Sequence, residues 1–524
     1  MEEEIENLEN YEPDGFHPVD LFDVLDGRFK VIYKLGFGGI AMVWLCYELE
    51  FSRWRAVKIN AASHSSGDSP ELKILQTMRD KGITPAELDA MHIVVPFETF
   101  WLEGPNGRHL CSVMPVMGPR LSEWREELPT NSESISKICY KLTEGLSYLH
   151  DIGVAHGDFR PGNVLTQLER QCLDDISVDE MKRLLDAPEM EEVLTLDGEP
   201  SSHAPKFVVT GVQWDRLEKL ISDDVAIVDF GESYLDSQPP SSLGIPRQYA
   251  APEVLFDGTP TISSDIWSLA YTLMEVQLGT NVMGNMSSII WRMEQFAGPV
   301  PEEDRETAVE IIEEELEEPL QLATEDFTNP KTNVPQMITA DLEDLNKLNE
   351  SLAEGTDYTD PLEIILGAEY IAKQPPPEDS DQQDFDEWGP YRLPPDQVAV
   401  FADLLRGMFK YAPGERLTAS KALGHVWFGT KRKIEDTEGE TTLAPAYANE
   451  GEVNVLAKRS KSEVGKYWLI FSALFGASLA FLWLFATLPE KCYLKPHSAV
   501  LRRSRGETAG IAETCVNIVR EFLW

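Results

Sequence analysis

The sequence predicts an α+β, bilobal protein: a small β-rich amino-terminal lobe, a larger helical lobe, and a carboxyl-terminal transmembrane helix candidate. Three observations predict this organisation. Residues 28–118 consist of short β-branched and aromatic runs separated by glycines, as in antiparallel strands. From residue 119 to residue 428, apolar residues recur at helical spacing. Residues 467–488 form an apolar run without a charged side chain.

An acidic arm precedes the small lobe. Residues 1–27 hold ten acidic and no basic side chains, a composition typical of a disordered or loosely docked arm. Strands are predicted in RFKVIYKLG, AMVWLCYEL and RWRAVKIN, and VVPFETFWLE and HLCSVMPV complete the small sheet. A helix is predicted in SPELKILQTMRDKG, where Leu72, Leu75 and Met78 share one face.

The larger lobe, residues 119–428, contains long predicted helices in SESISKICYKLTEGLSYLHDIG, SDIWSLAYTLMEVQLG and PDQVAVFADLLRGMFKYAP. Two acidic, proline-punctuated stretches interrupt it, a spacer over residues 167–224 and an acidic insert over about 300–395. Their weak periodicity predicts insertions rather than core elements. Residues 429–466 are predicted to be a linker.

The carboxyl-terminal region is predicted to contain a membrane anchor. A helix over residues 467–488 would extend roughly 32 Å, enough to cross the hydrocarbon core of a bilayer. Basic side chains flank both ends, so the positive-inside rule gives no orientation. A buried apolar helix is the alternative. Residues 489–524 form a short basic tail.

The charge of the chain restricts its partners. Ninety acidic and 45 basic residues give a formal net charge of -45. Such a surface repels nucleic acid and attracts basic proteins, so basic protein substrates are expected and direct nucleic-acid binding is not. Solubilising acidic loops are the alternative interpretation of the same charge.

A glycine-rich turn and a lysine indicate a phosphate site. In KLGFGGIAMVWL, Gly36 and Gly38 lie between two predicted strands, where the missing Cβ lets the backbone approach phosphates closely. An ordinary hairpin turn would have the same composition. In RAVKIN, Lys58 lies inside a strand, where a buried ammonium needs anionic partners such as phosphates and Glu71. A solvent-facing lysine remains the alternative.

Two later motifs supply carboxylates and an amide. HGDFRPGNVL, residues 156–165, offers Asp158 to orient or deprotonate a hydroxyl and Asn163 as a metal ligand. VAIVDFGES ends a buried strand with Asp229, which is well placed to hold Mg²⁺ against a triphosphate.

Three further motifs follow in a fixed order. AAPEVLF contains Glu253, SSDIWSLA contains Asp265, and GERLTA contains Arg416, a natural buried partner for Glu253. Together these seven motifs, in this order, resemble those of the eukaryotic protein kinase family over roughly residues 28–428.

Four features resemble the SR-protein kinases more narrowly, in a divergent, fungal-type form. They are the VWL that ends the glycine-rich strand, a residue other than arginine before Asp158, IPRQYAAPEVLF, and a gap of 66 residues between Asn163 and Asp229. In many kinases the missing arginine grips a phosphorylated activation loop, so Gly157 predicts constitutive activity.

The resemblance implies roles for the site residues and two cofactors, ATP and Mg²⁺. Asp158 would accept or orient the substrate hydroxyl, and Arg160 stands where the family has a lysine that contacts the γ-phosphate. Asn163 and Asp229 would bind Mg²⁺. The residues implied to bind ATP are Leu35, Gly36, Gly38, Val43, Ala56, Lys58, Glu71, Met114, Met117 and Asp229, with Met114 as gatekeeper and Met117 at the hinge.

The implied function is a serine/threonine kinase that phosphorylates serines in basic, Arg/Ser-rich proteins. The alternative is a weakly active or inactive kinase-fold scaffold, tethered to a membrane and recruiting basic partners. The kinase domain would face the cytoplasm from an intracellular membrane if residues 467–488 anchor it, and would otherwise lie in the cytoplasm and nucleus.

Overall fold

The structure is a computed structural model that describes residues 5–128, 133–169, 173–195, 198–256, 258–280, 288–316, 350–353, 356, 358–373 and 388–429. The chain divides into two units, Met1–Ala448 and Asn449–Trp524. The second unit lies outside the described residues.

The small lobe is built on one antiparallel sheet of six strands, in the order β1-β2-β3-β4-β6-β5. Its strands are β1 (Val24–Leu25), β2 (Phe29–Phe37), β3 (Ala41–Glu48), β4 (Arg53–Asn60), β5 (Glu98–Gly104) and β6 (Gly107–Met114). Two helices accompany it, α1 (Pro70–Asp80) and α2 (Pro85–Ala90). Ser69 caps α1 by accepting from the backbone of Leu72, with Pro70 in the first turn.

The amino-terminal arm packs on this sheet. Tyr11, Phe16 and Val19 are buried in one cluster with residues of β2, β3 and β4. The arm was predicted to be disordered or loosely docked, and its described part, residues 5–27, is instead an integral layer of the lobe. Composition alone did not predict this packing, because a few well-spaced apolar side chains are sufficient to dock an acidic segment on the sheet.

The larger lobe is mainly helical. Its helices are α3 (Leu121–Trp124), α4 (Glu133–Asp151), α5 (Val178–Leu185), α6 (Pro252–Leu255), α7 (Ser264–Leu278), α8 (Ile289–Ala297), α9 (Arg305–Leu316), α10 (Pro361–Gly367), α11 (Pro395–Met408), α12 (Ala419–Leu423) and α13 (Val426–Gly429). Short antiparallel pairs join β7 (Val154–Ala155) to β12 (Tyr234–Leu235), β8 (Val164–Leu168) to β11 (Ile221–Ile227), β9 (Met190–Glu192) to β10 (Phe207–Val209), and β13 (Tyr370–Lys373) to β14 (Trp388–Tyr391).

Helix α7 is the centre of the larger lobe, since every residue from Ser264 to Leu278 is buried. Trp267 and Tyr271 pack edge-on against Phe409, at ring-centroid distances of 4.9 and 5.1 Å. Protein therefore surrounds α7 on all sides, and its buried polar groups must find partners in neighbouring segments. Polar groups on α7 can therefore fix the loops that cross it.

The spacer packs on the small lobe. Met181 and Leu185 of α5 share a cluster with Leu45 and Trp54, and the Trp54 indole donates to the carbonyl of Ile176 at 2.9 Å. The weak periodicity of this segment predicted an insertion. Its described part is an ordered layer that covers strands of the sheet.

The predicted partnership of Glu253 and Arg416 is confirmed. Arg416 donates from both terminal nitrogens to the Glu253 carboxylate at 2.6 and 2.7 Å, and the arginine side chain is fully buried. Ser264 also donates to Glu253 at 2.6 Å. This bidentate pair joins α6 to the loop before α12, far apart in sequence.

The predicted fold class was wrong to include a transmembrane helix. Within the described part of the chain, no helix combines the length and apolar character that crossing a membrane requires. A spanning helix needs about 20 predominantly apolar residues in succession. The longest helix described, Glu133–Asp151, carries charged side chains. The segment that prompted the prediction, residues 467–488, lies outside the described residues.

A buried carboxyl in α7 gives the fold a pH dependence. Burial raises the pKa of Glu275 to about 7, and the Tyr249 hydroxyl, which donates to it at 2.9 Å, only partly opposes this. A carboxyl with a higher pKa in the folded chain stabilises the fold while protonated. Its contribution is complete below pH 4.5 and is lost as the pH rises through about 7.

We therefore expect Glu275→Gln to raise the free energy of unfolding above pH 7 by roughly 3 kcal/mol relative to its effect below pH 4.5. Thermal unfolding of the full chain between about pH 4.5 and pH 8 measures this, with the exposed Glu415→Gln as control. Parallel pH profiles for Glu275→Gln and the unmodified chain would contradict the assignment.

Candidate active site

The glycine-rich turn joins β2 to β3. The backbone N–H of Gly38 donates to the carbonyl of Ala41 at 2.8 Å and closes the turn. A Cβ added at Gly36 or Gly38 would have no heavy atom of the described residues within 4 Å, so packing against these residues does not require glycine there. Backbone without a side chain over it is a surface that a phosphate group can approach closely. Val43 pairs with Gly36 across the hairpin.

Lys58 lies in the middle of the sheet, between Val43 on β3 and Ser112 on β6. Its Nζ bonds the Asp229 carboxylate at 2.8 Å. The Glu71 carboxylate accepts from the Ser112 hydroxyl at 3.1 Å. Burial lowers the pKa of Lys58, but the charges of Asp229 and Glu71 outweigh it and raise the pKa above its usual value. Lys58 is therefore a permanent cation, and its pairing with Glu71 stays a prediction.

Asp229 follows β11 with a φ of 64°. Aspartate is one of the few non-glycine residues that adopts this left-handed conformation readily. Its side chain is 42% exposed, so a polar ligand can reach the carboxylate even though Lys58 bonds one oxygen. The positive charge of Lys58 lowers the pKa of Asp229. The carboxylate is thus ionised and accessible, as a magnesium ligand must be.

The 156–165 loop is fixed by a buried carboxylate of α7. Asp265 accepts from the backbone N–H groups of His156 and Gly157 at 2.7 and 2.9 Å, and contacts His150 Nε2 at 3.1 Å. Gly157 has a φ of 79°, which favours glycine. A Cβ there would lie 2.2 Å from the backbone oxygen of Glu232. Both the conformation and the space at this position therefore require glycine.

Asp158 lies within reach of two neighbours in the loop. The Arg160 Nε donates to its carboxylate at 3.0 and 3.1 Å, and the Asn163 amide nitrogen donates at 2.6 Å. These bonds leave the Asn163 amide oxygen, an atom type that magnesium accepts as a ligand. Burial raises the pKa of Asp158, which Arg160, His156 and Asn163 partly oppose.

The remaining predicted residues lie on strands of the small lobe and in the segment that follows β6. Ala56 of β4 pairs with Met114 at the end of β6. Met117 is buried with Val94, Ala226 and Val228 in a small cluster. Leu35 precedes the glycine-rich turn. Met117 thus contacts the strand that precedes Asp229, whereas Leu35, Ala56 and Met114 lie on strands of the small sheet.

The role of Asp265 was missed, although the motif that contains it was recognised. A signal was present, because Asp265 begins a predominantly apolar helix and a carboxylate buried with such a helix needs donors. Its donors are the backbone groups of the loop, and only the folded chain shows which ones.

Four features together define a kinase-type protein. They are the two-lobed fold, the glycine-rich turn, the inter-lobe pair of Lys58 and Asp229, and the loop that presents Asp158 beside Asn163. A family model described as a protein kinase domain matches residues 29–178 and 217–428. The chain belongs to the protein kinase family, as predicted. The unmatched residues 179–216 lie inside the predicted spacer. Members of this family use ATP and Mg²⁺.

Three relatives are similar to parts of the chain. SRSF protein kinase 3 of Homo sapiens is 33% identical over 172 residues, 31% of this chain and 30% of the relative. Protein kinase dsk1 of Schizosaccharomyces pombe is 34% identical over 180 residues, 33% of this chain and 32% of the relative. Serine/threonine-protein kinase AFC3 of Arabidopsis thaliana is 23% identical over 431 residues, 80% and 87% respectively.

The chain spans about a third of the length of the first two of these relatives. Their similarity confirms the predicted resemblance to the SR-protein kinases.

Proposed function

We propose that the chain is an ATP-dependent serine/threonine protein kinase that phosphorylates serines in basic, Arg/Ser-rich proteins. The observation that carries the proposal is the 2.8 Å bond between Lys58 and the accessible Asp229 carboxylate. It puts a permanent cation and an ionised carboxylate side by side at the lobe junction. Nucleotide phosphates need the first, and magnesium needs the second.

The roles of the site residues follow from their chemistry. Bound ATP and Mg²⁺ would supply the phosphoryl group and neutralise its charge. Lys58 would hold phosphate oxygens beneath the glycine-rich turn, and Asn163 and Asp229 would hold the metal. Asp158 would orient a serine hydroxyl and take its proton. Catalysis would then come from positioning and from charge neutralisation.

The adenine site is proposed to lie against Leu35, Val43 and Ala56, with the base meeting Met114 and Met117. The open space beside Gly36 and Gly38 supports phosphates at the other end of the nucleotide. We also propose the lobe division at residues 28–118 and 119–428, with the site between them.

Preference for basic substrates is supported by charge and by similarity. The net charge of -45 attracts basic peptides, and helix α9 contributes the acidic run EIIEEEL to the larger lobe. Similarity to an SRSF protein kinase supports serines beside arginines as the target. We propose the cytoplasm and nucleus as the place of action, from the same resemblance.

We further propose that activity needs no phosphate on the activation segment, residues 229–253. Contacts within the chain already hold this segment. The Glu232 carboxylate accepts from the backbone N–H of Gly244 at 2.7 Å, and the buried Ser233 donates to the carbonyl of His156 at 2.8 Å. Tyr234 donates to the carbonyl of Thr261 at 2.8 Å. Because residue 157 is glycine, the chain has no arginine at this position to bind a phosphate on the activation segment.

Phosphatase treatment is accordingly expected to leave the transfer rate within about twofold, because these contacts involve no phosphate. The rate of phosphate transfer to a basic peptide, before and after treatment, measures it. Mass spectrometry of residues 229–253 supplies the control for complete removal. Loss of most activity would contradict the proposal.

The proposed function is tested with radiolabelled ATP and the full chain, using an Arg-Ser repeat peptide beside an acidic peptide of equal length. Transfer to the basic peptide alone is expected, since a chain with a net charge of -45 repels the acidic one. Absence of transfer to either peptide, from folded protein that binds ATP, would contradict the kinase proposal. Equal transfer to both peptides would contradict only the substrate preference.

A further inference from the structure

A buried ion pair joins the amino-terminal arm to the strand that leads into the glycine-rich turn. Lys34 of β2 bonds the Glu6 carboxylate, and their side chains are 0% and 1% exposed. Lysine and glutamate are almost never fully buried unless they are paired, since each charge loses its hydration. Lys34 lies two residues before Gly36. The arm therefore neutralises a charge at the base of the turn.

The surroundings of the Lys34 ammonium include the turn itself. Nζ donates to the carbonyl of Val209 at 2.8 Å and lies 5.9 Å from the ring centroid of Phe37 and 5.5 Å from that of Trp44. Phe37 separates Gly36 from Gly38. Burial lowers the pKa of Lys34, and Glu6 opposes this. Glu6 thus supplies the negative charge that keeps the ammonium in place.

The arm also contacts the second strand of the hairpin. The Tyr11 hydroxyl donates to Glu6 at 2.5 Å and lies 3.3 Å from the sulfur of Met42. Met42 pairs with Phe37 across β2 and β3. Both strands that flank the turn are therefore connected to the same carboxylate, one through Lys34 and the other through Tyr11.

We propose that Glu6 is a positioning residue for ATP, which holds the glycine-rich turn by fixing Lys34 in β2. The inference rests on the proposed ATP-binding role of that turn. Without the carboxylate charge, the ammonium would be left among two aromatic rings and a carbonyl oxygen. An unpaired buried charge is relieved by moving toward water. Because Lys34 belongs to β2, that movement would displace Phe37 and the turn.

The test uses the full chain, with ATP and Mg²⁺ as the probe. Glu6→Gln is expected to weaken the Kd for ATP about tenfold and raise the KM for ATP equally, while kcat and the KM for peptide change less than twofold. Glu12→Gln replaces an exposed glutamate of the same arm and is the matched control. It should change neither the Kd nor the KM for ATP. Hydrogen exchange of residues 36–40 should accelerate only in Glu6→Gln.

A double variant separates charge from packing. Combining Glu6→Gln with Lys34→Met removes both charges, and is expected to restore the Kd for ATP to within about threefold of the unmodified value. If Glu6→Gln does not fold, Tyr11→Phe serves instead. It keeps the carboxylate but removes one of its donors, and should weaken the Kd for ATP about threefold.

Two outcomes would overturn the proposal. In the first, Glu6→Gln lowers the melting temperature but leaves the Kd for ATP within twofold, which is the result of a merely structural pair. In the second, the unmodified chain does not bind ATP. An unmodified chain that binds ATP but transfers no phosphate would contradict the proposed function, whereas the comparison of Kd values would still decide the role of Glu6.

Discussion

Replacing Asp158 by asparagine is expected to lower kcat for phosphate transfer by about 10³-fold, while the Kd for ATP changes less than twofold. The shape of the side chain is kept, and its oxygen can still accept from Asn163, which donates at 2.6 Å. The ability to take a proton is lost. Steady-state kinetics with the basic peptide and direct ATP binding measure the two quantities separately. Asp396→Asn, an exposed aspartate of the same lobe, is the control.

The pH dependence of kcat gives an independent check. Burial raises the pKa of Asp158, so the active carboxylate should become protonated at a higher pH than an ordinary aspartate. The transfer rate of the unmodified chain should therefore fall on acidification through that raised pKa. The residual rate of Asp158→Asn should lack this acid limb. A variant that retained both the rate and the limb would show that Asp158 takes no proton.

Gly157→Ala is expected to have the second largest effect, because a single methyl group meets two obstacles there. The φ of 79° costs a residue with a Cβ roughly 1–2 kcal/mol. The Glu232 carbonyl, 2.2 Å from the position of that Cβ, must also move, which adds roughly 1–3 kcal/mol. Since Asp158 is the next residue, kcat should fall more than tenfold. Chemical unfolding and steady-state kinetics measure the two losses.

Gly153→Ala is the matched control. Its φ of 76° is nearly the same, but in the described part of the chain no heavy atom lies within 4 Å of a Cβ built there. It should therefore show only the backbone cost, roughly 1–2 kcal/mol, and leave kcat unchanged. Equal losses in the two variants would mean that the Glu232 carbonyl yields freely and that Gly157 is required by backbone conformation alone.

The parts of the site that were predictable from sequence are those whose chemistry is local. Lys58 inside an apolar strand, Asp229 at the end of one, and Asn163 five residues after Asp158 each carry a chemical signal within a short motif. Their order along the chain identified the family. The two-lobed division followed from the change of period near residue 119, because strands and helices leave different hydrophobic patterns.

The parts that were not predictable depend on contacts between distant segments. Glu6 and Lys34 are separated by 28 residues, and Lys34 and Val209 by 175. Neither segment has a pattern that identifies the other. The acidic composition of the arm predicted a disordered or loosely docked segment. One of its glutamates, Glu6, instead forms a buried ion pair with Lys34. The order of the spacer was likewise not predicted, because its apolar residues are buried only by packing on Trp54 and neighbouring residues of the sheet.

The close packing of both lobes makes their cysteines useful reporters of local opening. Cys46 and Cys111 are fully buried in the small lobe, and Cys139 is fully buried in helix α4 of the larger one. Burial raises the pKa of Cys46 and of Cys111, so these thiols carry almost no thiolate while the sheet is closed. Alkylating reagents would then modify them only during transient opening. The alkylation rate of each cysteine-containing peptide would therefore report how often its lobe opens. A nucleotide that stabilises one lobe should first lower the alkylation rate of the cysteines in that lobe.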